Sequence, residues 1–336
     1  MSAQDRLHAT VIISMLNSSS TVVPCLEGIV SQRYPVDEII VVDNRSRDDS
    51  VAKVEAFAKQ SPVPVRLIKQ TFEGAIGDSY NLGAALAGSP LLILVHSDGA
   101  FPSPDEIGRL TSPLHEDPEC VAACPRLMMP REVWERFPYW QKHLFSRAMG
   151  RENHSMCGKF DCVRKEVFVG AGGYDAKRFT ATCGYGGEDS DAHFRISKRG
   201  RVAQTDARVI HLHDLSANFS LGSLFKTRKR LALTYAKVLQ FQGFQPTPGK
   251  LSFFVRPVLA VLPLIPHFWG PGLALLLFFS IANSWRMYTS RSTLCSPRIF
   301  LLPFVDVALV YYEAFWFVQG LLTSPADARP RGESRA

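Results

Sequence analysis

The chain is most informative first for what it lacks. None of its seven cysteines forms a Cys-x-x-Cys pair, and neither Cys120/Cys124 nor Cys157/Cys162 has a matching second half. That pattern gives no zinc site and reads as scattered free thiols in a reducing compartment. The N-terminus shows no signal-peptide pattern, because polar residues 1–8 run straight into the apolar stretch Thr10–Leu16. No recognisable nucleic-acid motif accompanies the net charge of +7.

What is present is unevenly spread. The overall composition, 46% hydrophobic and 21% charged, is that of a globular protein. Residues 1–250 mix polar and apolar types, whereas residues 251–322 are dominated by Leu, Phe, Val, Pro and Trp. One basic cluster stands out: Lys226, Arg228, Lys229 and Arg230. Beside apolar segments it points to anionic lipid headgroups rather than nucleic acid.

Through the first 125 or so residues, short runs rich in β-branched residues alternate with helix-patterned segments. The runs are Val11–Leu16, Ile39–Val42, Val63–Ile68 and Leu91–Val95; the helical segments are Thr21–Ser31, Ser50–Lys59 and Ile76–Ala87. This alternation predicts an α/β fold, a mostly parallel sheet flanked by helices. Ligands in such sheets sit beyond the carboxyl ends of the strands. Asn17, Asp43-Asn44 and His96-Ser97-Asp98 occupy those ends.

Residues 219–242 read as an amphipathic helix. At about 100° per residue, Lys226, Lys229, Arg230 and Lys237 share one face, with Leu224, Leu231, Tyr235, Val238 and Leu239 opposite. Such a helix suits a membrane surface. Beyond it, Pro257–Ala282 holds one ionisable residue, His267, and Ile299–Leu322 holds Asp306 and Glu313. Each is long enough to cross a hydrocarbon core. Pro257, Pro263, Pro266, Pro271 and Gly270 interrupt the first, and Arg286, Arg291 and Arg298 lie between the two. The prolines and the misplaced arginines make a re-entrant hairpin as acceptable as two spans. Asp306 and Glu313 share a helix face, and an acidic stripe at that depth should face inward, toward Arg256, His267 or Arg286. The expected organisation is a catalytic domain over 1–218, an interfacial helix and linker over 219–250, a membrane hairpin over 251–324 and a disordered polar tail over 325–336.

Several pieces occur in a fixed order: Val11–Asn17, Val41–Asp48, Asn81-Leu82-Gly83, His96-Ser97-Asp98, Gly172-Gly173-Tyr174-Asp175, Gly187-Glu188-Asp189-Ser190-Asp191 and His211. Together they resemble glycosyltransferase family 2, over about residues 9–215. The resemblance implies a GT-A fold and an inverting transferase that moves sugar from a nucleotide-diphosphate donor, UDP-sugar favoured. It implies donor-binding roles for Ser14, Asn17, Asp43, Asn44, Asn81, Ser97 and Asp98. It implies a Mg²⁺ or Mn²⁺ site at Asp98, completed by His211, and a general base at Asp189 beside Glu188. Asp191 is the fallback base, unless it pairs with Arg195. His213 shares a strand face with His211. Gly184, Gly186 and Gly187 suggest a loop that closely approaches a ligand.

The sequence departs from the family in three places. His96 stands at the first Asp of Asp-x-Asp, Ser14 at the usual Pro of the first strand, and Tyr80 at the Arg before Asn81. No Gln-x-x-Arg-Trp follows Glu188-Asp189, which argues against a processive polymer synthase. Asn17-Ser18-Ser19-Ser20 after the first strand replaces the glycine-rich basic loop that nucleotidyl transfer needs. A non-catalytic binder of the same fold is the rival reading, supported by His96. The expected setting is the cell membrane, with the catalytic domain facing the cytoplasm. The expected partners are a lipid or lipid-linked acceptor or, failing that, a soluble one, and no nucleic acid.

Overall fold

The computed structural model describes residues 7–72, 74–154, 156, 158–176, 178–179, 186–212, 218–243 and 248–323. The strands are β1 (Ala9–Met15), β2 (Glu38–Asp43), β3 (Val65–Lys69), β4 (Leu91–His96), β5 (Gly99–Ala100), β6 (Cys120–Met128), β7 (Glu152–His154), β8 (Phe160–Arg164) and β9 (Arg201–His211). The first helices are α1 (Val22–Val30), α2 (Ser50–Ala58), α3 (Ile76–Leu86), α4 (Glu106–Glu116), α5 (Arg131–Glu135) and α6 (Tyr139–Phe145). Then come α7 (Lys165–Gly170), α8 (Glu188–Ser197), α9 (Leu221–Gln242), α10 (Pro248–Val261), α11 (Trp269–Ser284), α12 (Arg291–Leu294) and α13 (Leu302–Leu322).

The described residues form two compact units, one within 1–129, 152–178 and 188–214, the other within 130–151, 179–187 and 215–336. The first unit is built on a single sheet in the order β3-β2-β1-β4-β8-β6-β9-β5, with β7 paired to β6. Its first half is parallel, as the strand–helix alternation predicts. Its second half is mixed: β8 runs antiparallel to β4 and β6, β7 to β6 and β5 to β9, while β6 and β9 are parallel. The sheet is therefore mixed, with the greater part of its paired residues in parallel ladders.

Alternation along β1 supplies two cores. Val11, Ile13 and Met15 pack with α1 and α4 on one face, while Ile12 packs with Tyr80 and Ala84 of α3 on the other. Burial on both faces explains the uninterrupted apolar run. On α1, Val22, Cys25, Leu26 and Ile29 are buried, a helical spacing that matches one face. Gly83 is the point of closest approach: a Cβ there would lie 2.3 Å from Ile12 Cγ2. The glycine of Asn81-x-Gly83 thus lets α3 settle onto β1.

The second unit is helical. The apolar stretch Pro257–Ala282 is divided between α10 and α11, with Leu262–Leu264 as a 3-10 turn between them. Among the described helices, Leu302–Leu322 alone is long and apolar enough to cross a membrane, and 44% of its most apolar window is buried within the protein. Large apolar side chains nonetheless face outward, among them Phe278 (74% exposed), Phe300 (80%) and Phe304 (73%).

The acidic residues of α13 turn inward. Glu313 Oε2 accepts from Arg256 Nε at 2.5 Å, and its other oxygen is 3.3 Å from Arg228. Asp306 is held by His143 Nε2, Ser284 Oγ and Tyr288 Oη, each at 2.7 Å, not by His267 or Arg286. The basic face expected on α9 is broken up. Lys226 and Arg230 are exposed, but Lys229 lies 3.4 Å from the centre of the Trp316 ring. Lys237 is buried and donates to the Thr323 carbonyl at 2.7 Å. Gly187 has φ +118°, and an added Cβ would lie 3.0 Å from Thr234 Cγ2 of α9. Packing and backbone conformation both favour glycine at this position. Gly184 and the polar tail lie outside the described residues.

Candidate active site

Three neighbouring parallel strands end together. Met15 of β1 pairs with Asp43 of β2, and Ser14 of β1 pairs with His96 of β4. The loops that leave these ends clasp each other. Asn17, with φ +49°, donates its backbone N–H to Ser46 Oγ at 2.8 Å and accepts from Arg47 N at 2.8 Å through Oδ1. Asp43 is buried, and both of its carboxylate oxygens accept from Ser46 N at 3.2 Å. The turn-capping role of the Asp-Asn-x-Ser run is thus realised, leaving other lone pairs of Asp43 for a ligand. Ser97 is buried with its hydroxyl 2.7 Å from Ser18 Oγ.

Two expected donor-side residues also anchor neighbouring loops. Asn44 Nδ2 donates to Gly74 O at 2.7 Å, and its Oδ1 accepts from Gln70 at 3.1 Å. Asn81 pairs with the backbone of Tyr174 at both ends: Nδ2 donates to the carbonyl and Oδ1 accepts from the N–H, each at 2.8 Å. Their amides hold loops in place, and these bonds use one N–H and one lone pair of each amide. Tyr80, at the position of the family's Arg, stacks on Tyr174 with ring centres 5.5 Å apart and donates to Gly158 O.

A second junction brings in residues distant in sequence. The short strand β5 pairs with the end of β9, placing Gly99 opposite His211, and Leu212 N donates to Asp98 O at 3.1 Å. As a result His96, Asp98 and His211 each offer a ligand atom, all within 4.8 Å of one another. His211 Nε2 is 2.9 Å from Asp98 Oδ1, and His96 Nδ1 is 3.7 Å from the same oxygen. Asp98 Oδ1 is nevertheless buried without a well-directed hydrogen bond. Burial pushes the Asp98 carboxyl up, but His211 and His96 more than reverse this and hold it well below the ordinary range. Burial lowers His96, keeping its imidazole neutral and able to bind a cation. A buried carboxylate oxygen facing two imidazoles fits a divalent metal. His213 lies outside the described residues.

Glu188 and Asp189 open α8, where ionised carboxylates are favoured by the helix N-terminus. Asp189 Oδ1 accepts from Ser190 N at 2.8 Å, and the residue is not part of the His96–Asp98–His211 cluster. Asp191 is buried and accepts from Arg195 Nε at 2.8 Å. That contact assigns Asp191 to an ion pair along the helix.

Residues 10–168 match the family described as Glycosyl transferase family 2. Glycosyltransferase GlyG of Streptococcus pneumoniae serotype 4 is 33% identical over 89 residues, which is 26% of this chain and 29% of that protein. This match therefore spans less than a third of that relative. Among solved structures, the mannosyltransferase PcManGT from Pyrobaculum calidifontis, in complex with GDP-Man and Mn²⁺, superposes with a TM-score of 0.57. It is 17% identical, and the alignment covers 93% of this chain and 87% of that one. GalNAc-T7 with UDP, GalNAc and Mn²⁺ gives 0.50 at 17% identity, over 71% of this chain and 52% of that one. At these identities the likeness is one of fold, the GT-A fold.

Proposed function

From residues 10–168, which make up a glycosyltransferase family 2 domain, we propose that the chain transfers a sugar from a nucleotide-diphosphate donor, UDP-sugar favoured, with inversion at the anomeric carbon. The observation that carries this is the His96–Asp98–His211 cluster beside the ends of β1, β2 and β4. Asp43 and Asn17 border the nucleotide, and Ser14 and Ser97 line the floor between them and Asp98. Asp98, His211 and His96 would hold a divalent cation, Mg²⁺ or Mn²⁺. When bound, the cation supplies positive charge to the donor diphosphate.

Asp189 acts as general base, with Glu188 beside it. It takes the proton of the acceptor hydroxyl as that oxygen bonds to the anomeric carbon, and the bond from that carbon to the diphosphate breaks. The nucleoside diphosphate leaves with the electron pair. Attack from the face opposite the leaving group inverts the centre.

The acceptor is a lipid or lipid-linked molecule at the cytoplasmic face of the cell membrane. Support comes from the outward-facing Phe278, Phe300 and Phe304, and from the one helix among the described residues that is long and apolar enough to span. A screen of UDP-, GDP- and dTDP-sugars with Mg²⁺ and Mn²⁺, with and without lipid acceptors, tests the proposal. Metal-dependent donor turnover supports it. Donor binding without turnover under every condition would favour a non-catalytic nucleotide-sugar binder.

A further inference from the structure

We infer that the cation site of this chain discriminates in favour of imidazole-binding transition-metal ions, of the class of Co²⁺ and Zn²⁺, over Mg²⁺. The inference rests on the metal assignment of the proposed function. It does not depend on which sugar is transferred, or whether any is.

The argument is one of donor chemistry. Of the three groups that converge within 4.8 Å, two are imidazoles and one is a carboxylate. Carboxylate, carbonyl and water oxygens suit Mg²⁺, whereas imidazole nitrogen suits the later first-row metals. Mg²⁺ also demands near-ideal octahedral geometry and gives up its waters reluctantly. A pair of ring nitrogens around one carboxylate oxygen meets neither preference.

The backbone that carries the second imidazole is fixed in place. His96 terminates β4 opposite Ser14, its carbonyl accepts from Cys25 Sγ at 3.4 Å, and its backbone N–H donates to Lys159 O at 3.4 Å. Its ring meets the His211 ring edge-on, with centres 5.2 Å apart. The β5–β9 pairing independently fixes His211 beside Asp98. The substitution at position 96 thus places a nitrogen donor in the cluster in place of the oxygen donor of the family pattern.

The test is metal binding by the full chain without nucleotide, measured by calorimetry for Mg²⁺ and Zn²⁺ and by visible absorption for Co²⁺. The wild type should bind Co²⁺ and Zn²⁺ at least about 100-fold more tightly than Mg²⁺, with Co²⁺ bands shifted from those of the aquo ion. His96→Asp should narrow that ratio by about tenfold or more and alter the Co²⁺ spectrum. His96→Gln, which keeps a neutral polar side chain, should weaken Co²⁺ without gaining Mg²⁺. Circular dichroism confirms that each variant is folded. Equal affinity for Mg²⁺ and Co²⁺, no Co²⁺ binding by the wild type, or an unchanged ratio in both variants would overturn the inference. Discrimination in a chain that turns over no donor would leave it standing while removing the transfer proposal. Transfer by a chain that binds Mg²⁺ and Co²⁺ equally would do the reverse.

Discussion

Asp191 and Arg195 close an ion pair along one turn of α8, and the same guanidinium donates to the carbonyls of Ala171 and Gly173. One arginine thus ties the helix that begins with Glu188-Asp189 to the Gly-Gly-Tyr-Asp turn. The two aspartates of the Glu-Asp-Ser-Asp run therefore separate into a pairing residue and a candidate base.

Asp189→Asn should keep donor binding and lose transfer by ~10²–10⁴-fold, the range of general base catalysis. Asp191→Asn should instead lower the thermal midpoint, with turnover per folded molecule little changed. Steady-state kinetics beside thermal unfolding would decide. A stable Asp191→Asn that cannot transfer would exchange the two roles.

Asp98→Ala should abolish metal-dependent donor binding and turnover, because it removes the carboxylate of the cluster and leaves two imidazoles. Titration calorimetry with Mn²⁺ and UDP reads the effect. Unchanged binding, or full wild-type activity in excess chelator, would remove Asp98 from the metal site.

Asn81→Ala should destabilise the first unit by ~1–3 kcal/mol, since the N–H and carbonyl of Tyr174 both lose their partner. Urea unfolding measures this. A loss of donor affinity with no change in stability would instead indicate a direct donor contact for Asn81.

Glu313→Gln should destabilise the helical unit by ~3–5 kcal/mol, as breaking a buried ion pair leaves Arg256 uncompensated. Adding Arg256→Met to that variant should recover part of the loss. Thermal unfolding in detergent follows both. Simple additivity of the two substitutions would mean that the pair is not coupled.

Thiol reactivity offers a check on the sheet unit. Burial pushes the Cys25 thiol up to about 12, so at pH 8 it is almost wholly protonated, and raising the pH toward 12 increases its thiolate. In a Cys157→Ser, Cys183→Ser background, exposed Cys295 should label quickly and Cys25 only on unfolding. Rapid labelling of Cys25 in the folded protein would contradict the packing of α1 against β4.

The parallel half of the sheet was legible because β1, β2 and β4 are buried on both faces and its helices repeat at helical spacing. Expected segments such as Ser50–Lys59 and Ile76–Ala87 fall within a residue of α2 and α3. Asp98 and His211 could be paired only through the family resemblance, since the two-residue strand β5 that brings them together carries no pattern of its own. The partner of Asp306 was hidden for a related reason. His143 comes from α6, whose sequence gives no sign that it belongs with the C-terminal helices. On α9 the helical wheel assigned a face to each lysine but not a direction to its long stem, and Lys229 and Lys237 fold back onto α13.

The pairing of β5 with β9 also sets an order of assembly. His96 and Asp98 leave the ribosome more than a hundred residues before His211. Because domains are made from the N-terminus forward, a nascent chain that has completed β1 to β5 carries two of the candidate ligands and lacks the third. Only when β9 docks, a contact between residues far apart in the chain and hence costly in loop closure, does the third ligand arrive. The cluster therefore waits on a late contact in folding, and a chain truncated before His211 would lack one of the three candidate cation ligands.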